Sequence, residues 1–114
     1  MATSKSSSEP AELERGLELI DNEAYFEAHE VLEDLWRAAP ADERDFFQGL
    51  VHVAVAWHHA GRDNRPGFER QLVKARRRLA PYAPVHNGVD IGDLLGQIDA
   101  ASFPPLARVR IKRS

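Results

Sequence analysis

One segment of the chain, roughly Asp42 to Ala60, constrains the fold more than any other. Within it, the stretch from Phe46 to Trp57 is almost continuously apolar and is interrupted by Gln48 and His52. At about 100° per residue its apolar side chains wrap most of a helix circumference, and a helix that is apolar nearly all round is buried between neighbours. Its valines would also suit a strand, but its length favours a helix. The sequence therefore predicts an interior helix that other helices must cover.

Four further segments have the amphipathic periodicity of helices that could cover it. The first begins at a Ser8 cap followed by Pro10 and ends near Asp21. The others run over about 24–38, from a cap at Asp63 or Asn64 to Pro81, and over about 90–100. Residues 108–111 alternate like a short edge strand or an ordered strap. We expect an all-α fold, a compact bundle of four to five helices around the buried central helix, with 1–8 a flexible tail and 9–114 a single helical domain.

Composition narrows the class of protein. A length of 114 residues suits one domain and leaves no room for a second. Because the chain has no cysteine, disulfides, thiolate metal sites and cysteine nucleophiles are excluded, and a reducing cytosol fits best. The first nine residues lack the apolar segment of a secretory signal. The apolar stretch of the central helix is too short to span a bilayer, so we expect no membrane insertion.

Charge is distributed unevenly along the chain. Residues 9–45 carry thirteen acids and three bases, a balance of -10, whereas residues 46–114 carry eleven bases and five acids, a balance of +6. Such a split can steer partners, or it can attract the two halves to each other within a monomer or across a dimer, and we favour the second interpretation. Basic residues at 74–78 and 108–113 would be the patch for a nucleic acid, a partner that we do not expect.

Two stretches carry a family resemblance. The first is YFEAHEVLEDLWR at 25–37, which contains the pattern EAHExxExxW, and the second is FQGLVHVAVA at 47–56, followed by His59, Gly61, Asn64 and Gly67. Together they resemble a bacterial and archaeal family of small all-helical proteins catalogued as a domain of unknown function, number three hundred nine. With the leucine pattern of the first helix, the resemblance covers about 13–79. This chain departs from the usual pattern of the family at Trp57-His58 and at Pro66. It implies a compact helical bundle and imports no activity.

A narrow polar strip runs down the otherwise apolar central helix. Gln48, His52 and His59 fall within about 40° of one another at helical spacing, and His29 and Glu33 form an i, i+4 pair on the preceding helix. If the two helices face each other, these five residues converge in one cleft, beside Glu30. Imidazoles and carboxylates at i, i+4 spacing suit a helical metal site, and His29, Glu33 and His59 are the candidate ligands of a divalent metal.

The same residues support a structural interpretation. The segment His29 to Glu33 reads HExxE and lacks the second histidine of the metalloprotease signature. His52 and His59 lie about 10.5 Å apart along the helix axis, so both side chains would have to bend toward each other to bind one ion. A buried hydrogen-bond network that fixes the packing of the two helices is therefore the favoured interpretation. His58, about 100° away from His59, is expected at the surface or in an interface.

Two hypotheses about function follow. The first is a small helical binding or assembly module, for instance a homodimer, in which the His/Glu/Gln cluster is mainly structural. The second is a metal-dependent hydrolytic enzyme that uses His29 and a histidine of the central helix as ligands, with Glu33 or Glu30 as a ligand or general base.

Overall fold

The valine-rich segment forms a long helix, as its pattern predicts. In the computed structural model, which describes residues 5–114 and side chains from residue 9 onward, the chain forms five α-helices. These are α1 (Lys5–Asp21), α2 (Tyr25–Ala38), α3 (Ala41–Gly61), α4 (Arg65–Leu79) and α5 (Ile91–Ala100). A 3-10 turn (Ala80–Tyr82) and a hairpin of β1 (Val85–His86) and β2 (Val89–Asp90) join α4 to α5. The predicted all-α bundle is confirmed.

Helix α3 is the interior element of the bundle. It packs against α2 on one side and α4 on another, while α1 covers α2. Phe46, Leu50, Val53 and Ala54 are completely buried, and Trp57 is nearly so. Burial of this apolar surface stabilises the fold, at about 25 cal/mol for each Å² removed from water. The central prediction of the sequence, a helix enclosed by its neighbours, is therefore confirmed.

Helix boundaries follow local signals with two differences. Asn64 and Asp90 cap α4 and α5, since their side-chain oxygens accept the backbone N–H of Gly67 and Asp93 respectively. Helix α1, however, begins at Lys5, ahead of the predicted cap at Ser8, and Pro10 lies inside it. Helix α3 ends at Gly61, one residue beyond the predicted segment, and Asp63 in the loop that follows has a left-handed conformation (φ 56°). Of the predicted flexible tail, residues 1–4 lie outside the described residues.

The C-terminal residues 101–114 form an ordered strap, the second of the two predicted alternatives. Val109 and Ile111 are buried in the core, and Arg113 forms a single antiparallel bridge with Val89. Arg113 also pairs with Glu14 (2.9 Å) and Asp21 (3.1 Å) of α1. The strap therefore ties the end of the chain to its first helix.

Several of the sequence-distant ion pairs join the acidic and basic halves of the chain. Besides the two pairs of Arg113, Arg108 pairs with Glu23 (3.2 Å) and Arg78 with Asp45 (2.7 Å). These contacts support the interpretation that part of the uneven charge holds the monomer together. In the part of the chain that the structure describes, no helix is long and apolar enough to cross a membrane.

Candidate functional site

The polar strip of α3 faces α4, where His52 has its partner. Nδ1–H of His52 donates to Oε1 of Gln71 on α4, at 2.7 Å. Both side chains are half-buried. Burial lowers the pKa of His52, and the nearby charges of Lys74 and Arg78 lower it further, whereas the bond to Gln71 acts in the opposite direction. His52 is therefore a neutral packing residue between α3 and α4.

His59 belongs to the cap of α4. Its Nδ1 accepts a hydrogen bond from the side-chain amide of Asn64 (3.3 Å), whose oxygen accepts the backbone N–H of Gly67 (3.0 Å). A side chain at Gly67 would not fit, because its Cβ would lie 2.8 Å from Cδ2 of His59. The imidazole of His59 therefore packs on the first turn of α4 and fixes the loop between the two helices.

Gln48 and Glu30 stand apart from these contacts. Gln48 is half-buried one turn before His52, and among the described residues no hydrogen bond reaches its side chain. Glu30 is exposed on the outer side of α2. The structure therefore does not bring the whole set together in one cleft, because His52 is bonded to Gln71 of α4 and His59 to Asn64 at its start.

His29 instead borders a cavity with His58. This α2–α3 pocket, of about 200 Å³, is lined by residues of both helices: Tyr25, Phe26, His29, Val55 and His58. Phe26 is 57% exposed, and the centroid of its ring lies 5.4 Å from that of the His29 ring and 5.9 Å from that of the His58 ring. The pocket therefore has mostly apolar walls and two imidazoles, and a volume close to that of one large side chain.

The two imidazoles of the pocket have distinct environments. Nδ1–H of His29 donates to the carbonyl oxygen of Phe26 (3.1 Å), which leaves Nε2 as the acceptor of the neutral ring. Glu33 Oε1 lies 3.8 Å from that Nε2, too far for a hydrogen bond, and accepts from Arg37 at 3.2 Å. Burial lowers the pKa of His58, and the charges of Arg62 and of the neighbouring histidines lower it further. Two imidazoles thus border the pocket, and Nδ1 of His29 is already bonded to the backbone.

The predicted metal ligands are not assembled into one site. His29 and Glu33 lie together on α2, but His59 is engaged with Asn64 at the start of α4. Within residues whose side chains are described, no three His, Cys, Asp or Glu groups are placed to hold a metal ion. The geometry of His29, Glu33 and His59 therefore gives no support to the hypothesis of a metal-dependent hydrolytic enzyme.

Sequence reasoning missed part of the pocket. Val55 and His58 lie on the side of α3 opposite to Gly49, and His58 was expected only at the surface or in an interface. Their i, i+3 spacing, matched by Phe26 and His29 on α2, was the available signal. The sequence alone does not say which helix each side of α3 faces.

A larger cavity of about 400 Å³ lies between the start of α1 and the hairpin. Part of its polar lining is already engaged, because Arg113 pairs with Glu14 and Asn87 donates to Glu43 (2.9 Å). The α2–α3 pocket is lined by two imidazoles, and we take it as the candidate site.

Comparison with known proteins agrees with the resemblance in the sequence. The model of the family described as Domain of unknown function (DUF309) matches residues 13–71, more than half of the chain. Over 74 residues the chain is 38% identical to the uncharacterized protein YpuF of Bacillus subtilis (strain 168), a match that covers 62% of this chain and 42% of YpuF. The chain thus spans less than half the length of that relative. This chain belongs to the DUF309 family, and that membership carries no activity with it.

Proposed function

We propose that this protein is a small helical binding module and that the α2–α3 pocket is its ligand site. One observation carries the proposal: the histidines of α3 divide into two groups. His52 is bonded to Gln71 of α4 and His59 to Asn64, the cap of α4, whereas His58, together with His29 of α2, lines the cavity. Imidazoles that face a cavity with apolar walls are typical of ligand sites, where a few polar groups orient the bound molecule.

The chemistry of the pocket selects its ligand. A volume of about 200 Å³ accommodates one apolar side chain or ring. The imidazoles of His29 and His58, which line the pocket, can pair with a hydrogen-bond donor on the ligand. The proposed ligand is therefore a polypeptide surface that presents an apolar group accompanied by a hydrogen-bond donor.

A cytosolic location is part of the proposal. It is supported by the absence of cysteine from the whole sequence, a composition that suits a compartment without disulfide formation.

Indole, an aromatic ring with one N–H donor, is a suitable probe of the pocket. We expect indole to bind weakly and to shift the ring signals of His29 and His58 in NMR titrations. A Val55→Phe variant should lose this binding, because the added ring fills the cavity. The matched control is Val85→Phe, since Val85 is 48% exposed on the hairpin and does not line the pocket. Equal indole binding by wild type and Val55→Phe would contradict the proposal.

A further inference from the structure

Helix α4 carries an exposed face made of one apolar residue and three cations. Val73 is 62% exposed, and Arg70, Lys74 and Arg77 beside it are exposed as well. Because these residues recur at i, i+3, i+4 and i+7, they lie within about 100° of one another around the helix axis. We call these four residues the α4 stripe.

The cations of the α4 stripe form no ion pair with a carboxylate among the described residues, in contrast to the other arginines of the same helix. Arg65 pairs with Glu69, Arg76 with Asp99 and Arg78 with Asp45. The stripe therefore presents uncompensated positive charge beside an exposed apolar side chain.

Helix α2 has a face with the same spacing and the opposite charge. Glu27, Glu30, Val31 and Asp34 also recur at i, i+3, i+4 and i+7, and they line a groove of about 430 Å³ that has Arg15 of α1 on its other side. We call this the α1–α2 groove. The three acids are exposed, whereas Val31 is only 8% exposed, so the acids surround an apolar floor.

The groove has a net negative charge although two arginines line it. Its lining contains four carboxylates and two guanidinium groups: Glu27, Glu30, Glu33 and Asp34 against Arg15 and Arg37. Arg37 is paired with Glu33 (3.2 Å) and Asp34 (3.4 Å), and Arg15 lies 3.6 Å from Glu12. In the described part of the chain Glu27 and Glu30 form no ion pair, so their charges are available to a partner.

The groove, the stripe and the α2–α3 pocket lie on separate sides of the molecule. Phe26 and His29, which line the pocket, are about 140° and 160° away from Val31 around the axis of α2. Helix α3 packs between α2 and α4, so the stripe cannot reach the groove of its own molecule. A contact between the two surfaces therefore requires two molecules.

We infer that the α1–α2 groove of one molecule binds the α4 stripe of a second copy of this chain. Glu27 and Asp34 are seven residues apart, about 10.5 Å along the helix axis, and so are Arg70 and Arg77. When the two helices lie side by side, each acid at an end of one face therefore stands opposite an arginine at an end of the other. Asp34 remains open to this second partner, because its side chain is 81% exposed.

The middle of the two faces is complementary as well. Val73 is the exposed apolar group of the stripe, and Val31 offers it an apolar floor in the groove, so the contact removes apolar surface from water. Lys74, next to Val73, then lies near the carboxylate of Glu30. The inference goes beyond the α2–α3 pocket and does not depend on it, since none of these residues lines that pocket.

A nucleic acid fits the stripe less well. Phosphates would engage its cations but would leave Val73 and the acidic groove without a role, and the net charge of -3 opposes general attraction to a polyanion. Duplex DNA is therefore included in the experiment as the competing partner.

A charge-reversal experiment tests the inference. The groove variant carries Glu27→Lys and Glu30→Lys, and the stripe variant carries Arg70→Glu and Arg77→Glu. All four residues are exposed, so folding should be retained and is checked by circular dichroism. In sedimentation velocity at low salt we expect the average mass of the wild type to rise with concentration, and each variant alone to associate at least about tenfold more weakly, because like charges then meet.

Mixing the two variants is the decisive step. The lysines of the groove variant should pair with the glutamates of the stripe variant, so the equimolar mixture should recover the association that each lost. A matched pair of single variants, Glu27→Lys and Glu9→Lys, controls for net charge, because Glu9 is also an exposed helical acid but does not line the groove. Only Glu27→Lys should weaken association.

Several results would overturn the inference: wild type that stays monomeric at all concentrations, a mixture that remains monomeric, or a loss from Glu9→Lys equal to that from Glu27→Lys. Association that does not weaken as salt rises would also contradict it, because the interacting charges lie at the surface. Salt-sensitive binding of duplex DNA by a wild type that stays monomeric, abolished in the stripe variant, would assign the stripe to a nucleic acid instead.

Discussion

Helix α3 has one interface with α4 and one with α2, which we call the α3–α4 seam and the α2–α3 seam, and the two use histidine in opposite ways. In the α3–α4 seam the helices approach closely, and His52 and His59 are bonded to Gln71 and Asn64. In the α2–α3 seam His29 and His58 border a cavity. The comparison teaches that a histidine on an apolar helix is identified as packing or binding by what faces it, and not by its type or its spacing.

A single carbon atom added in the closely packed α3–α4 seam should change the stability of the protein. A Cβ at Gly49 would lie 2.5 Å from Cγ of the fully buried Leu79 on α4. We expect Gly49→Ala to lower the free energy of unfolding by up to about 2 kcal/mol, because overpacking costs about 1–3 kcal/mol and the gain in helix propensity offsets about 1 kcal/mol of it.

The control for this prediction is Gly96→Ala in α5. Gly96 is exposed, and an added Cβ there meets no atom within 4 Å, so the same substitution should stabilise the protein. Urea unfolding of both variants measures the difference. Two changes of the same sign would contradict the close approach of α3 and α4.

Removing one histidine from each seam compares their roles directly. We expect His52→Leu to cost about 1 kcal/mol of unfolding free energy, because the bond to half-buried Gln71 is lost and the amide is left without that partner. His58→Leu should be neutral or slightly stabilising, since no hydrogen bond among the described residues holds His58 and leucine suits apolar walls. Chemical denaturation at pH 7.5 measures both, and a larger loss from His58→Leu would reverse the assignment of the seams.

Helix α3 shows how much of the difference between the two seams can be predicted from the sequence. Its period placed Gln48, His52 and His59 on one strip correctly, and its apolar circumference predicted burial. The period gives angles only within one helix, however, and does not say which neighbour each side faces. The strip was therefore assigned to α2 although Asp45, Gly49 and His52 all contact α4.

The pocket was harder to predict for the same reason. Phe26, His29 and His58 meet only because α2 packs beside Val55, and that pairing depends on rotations of whole helices. Local signals performed better: a cap at Asp63 or Asn64 was predicted from residue type, and Asn64 caps α4. The ordered strap was one of two predicted alternatives, but its ion pairs with α1 join residues more than 90 positions apart in the sequence.

Protonation should destabilise the protein through both seams. Burial holds the pKa of His52 and His58 below the ordinary histidine value of about 6.5. The unfolded chain therefore binds protons first, so the stability that these groups contribute is complete above that value and is lost as pH falls through their lowered pKa.

We expect the free energy of unfolding to fall between about pH 7 and pH 5, and His52→Leu to reduce the slope more than His58→Leu does, because His52 is the more enclosed of the two. Urea unfolding across this range at constant ionic strength is the measurement. The carboxylates of Glu14 and Asp99, whose pKa is lowered by bonds to Arg113 and Arg76, lose their contribution only at lower pH and should not mask the histidine step. A slope unchanged in both variants would show that neither imidazole is buried in neutral form.

Filling the pocket of the α2–α3 seam should have the smallest effect on stability. In contrast to Gly49→Ala, the Val55→Phe variant adds a whole ring but places it in an existing cavity, so we expect a change within about 0.5 kcal/mol. Thermal unfolding followed by circular dichroism checks it. A loss of more than about 2 kcal/mol, the cost of overpacking a filled core, would mean that no usable cavity lies between α2 and α3.

The most direct test of the division between the seams is a long-range proton–nitrogen NMR spectrum of the imidazoles, recorded with and without indole. We predict that the ring signals of His29 and His58 shift on addition of indole while those of His52 and His59 stay in place, with His29 protonated on Nδ1 and His59 on Nε2. Shifts of His52 and His59, with His29 and His58 unchanged, would contradict the account.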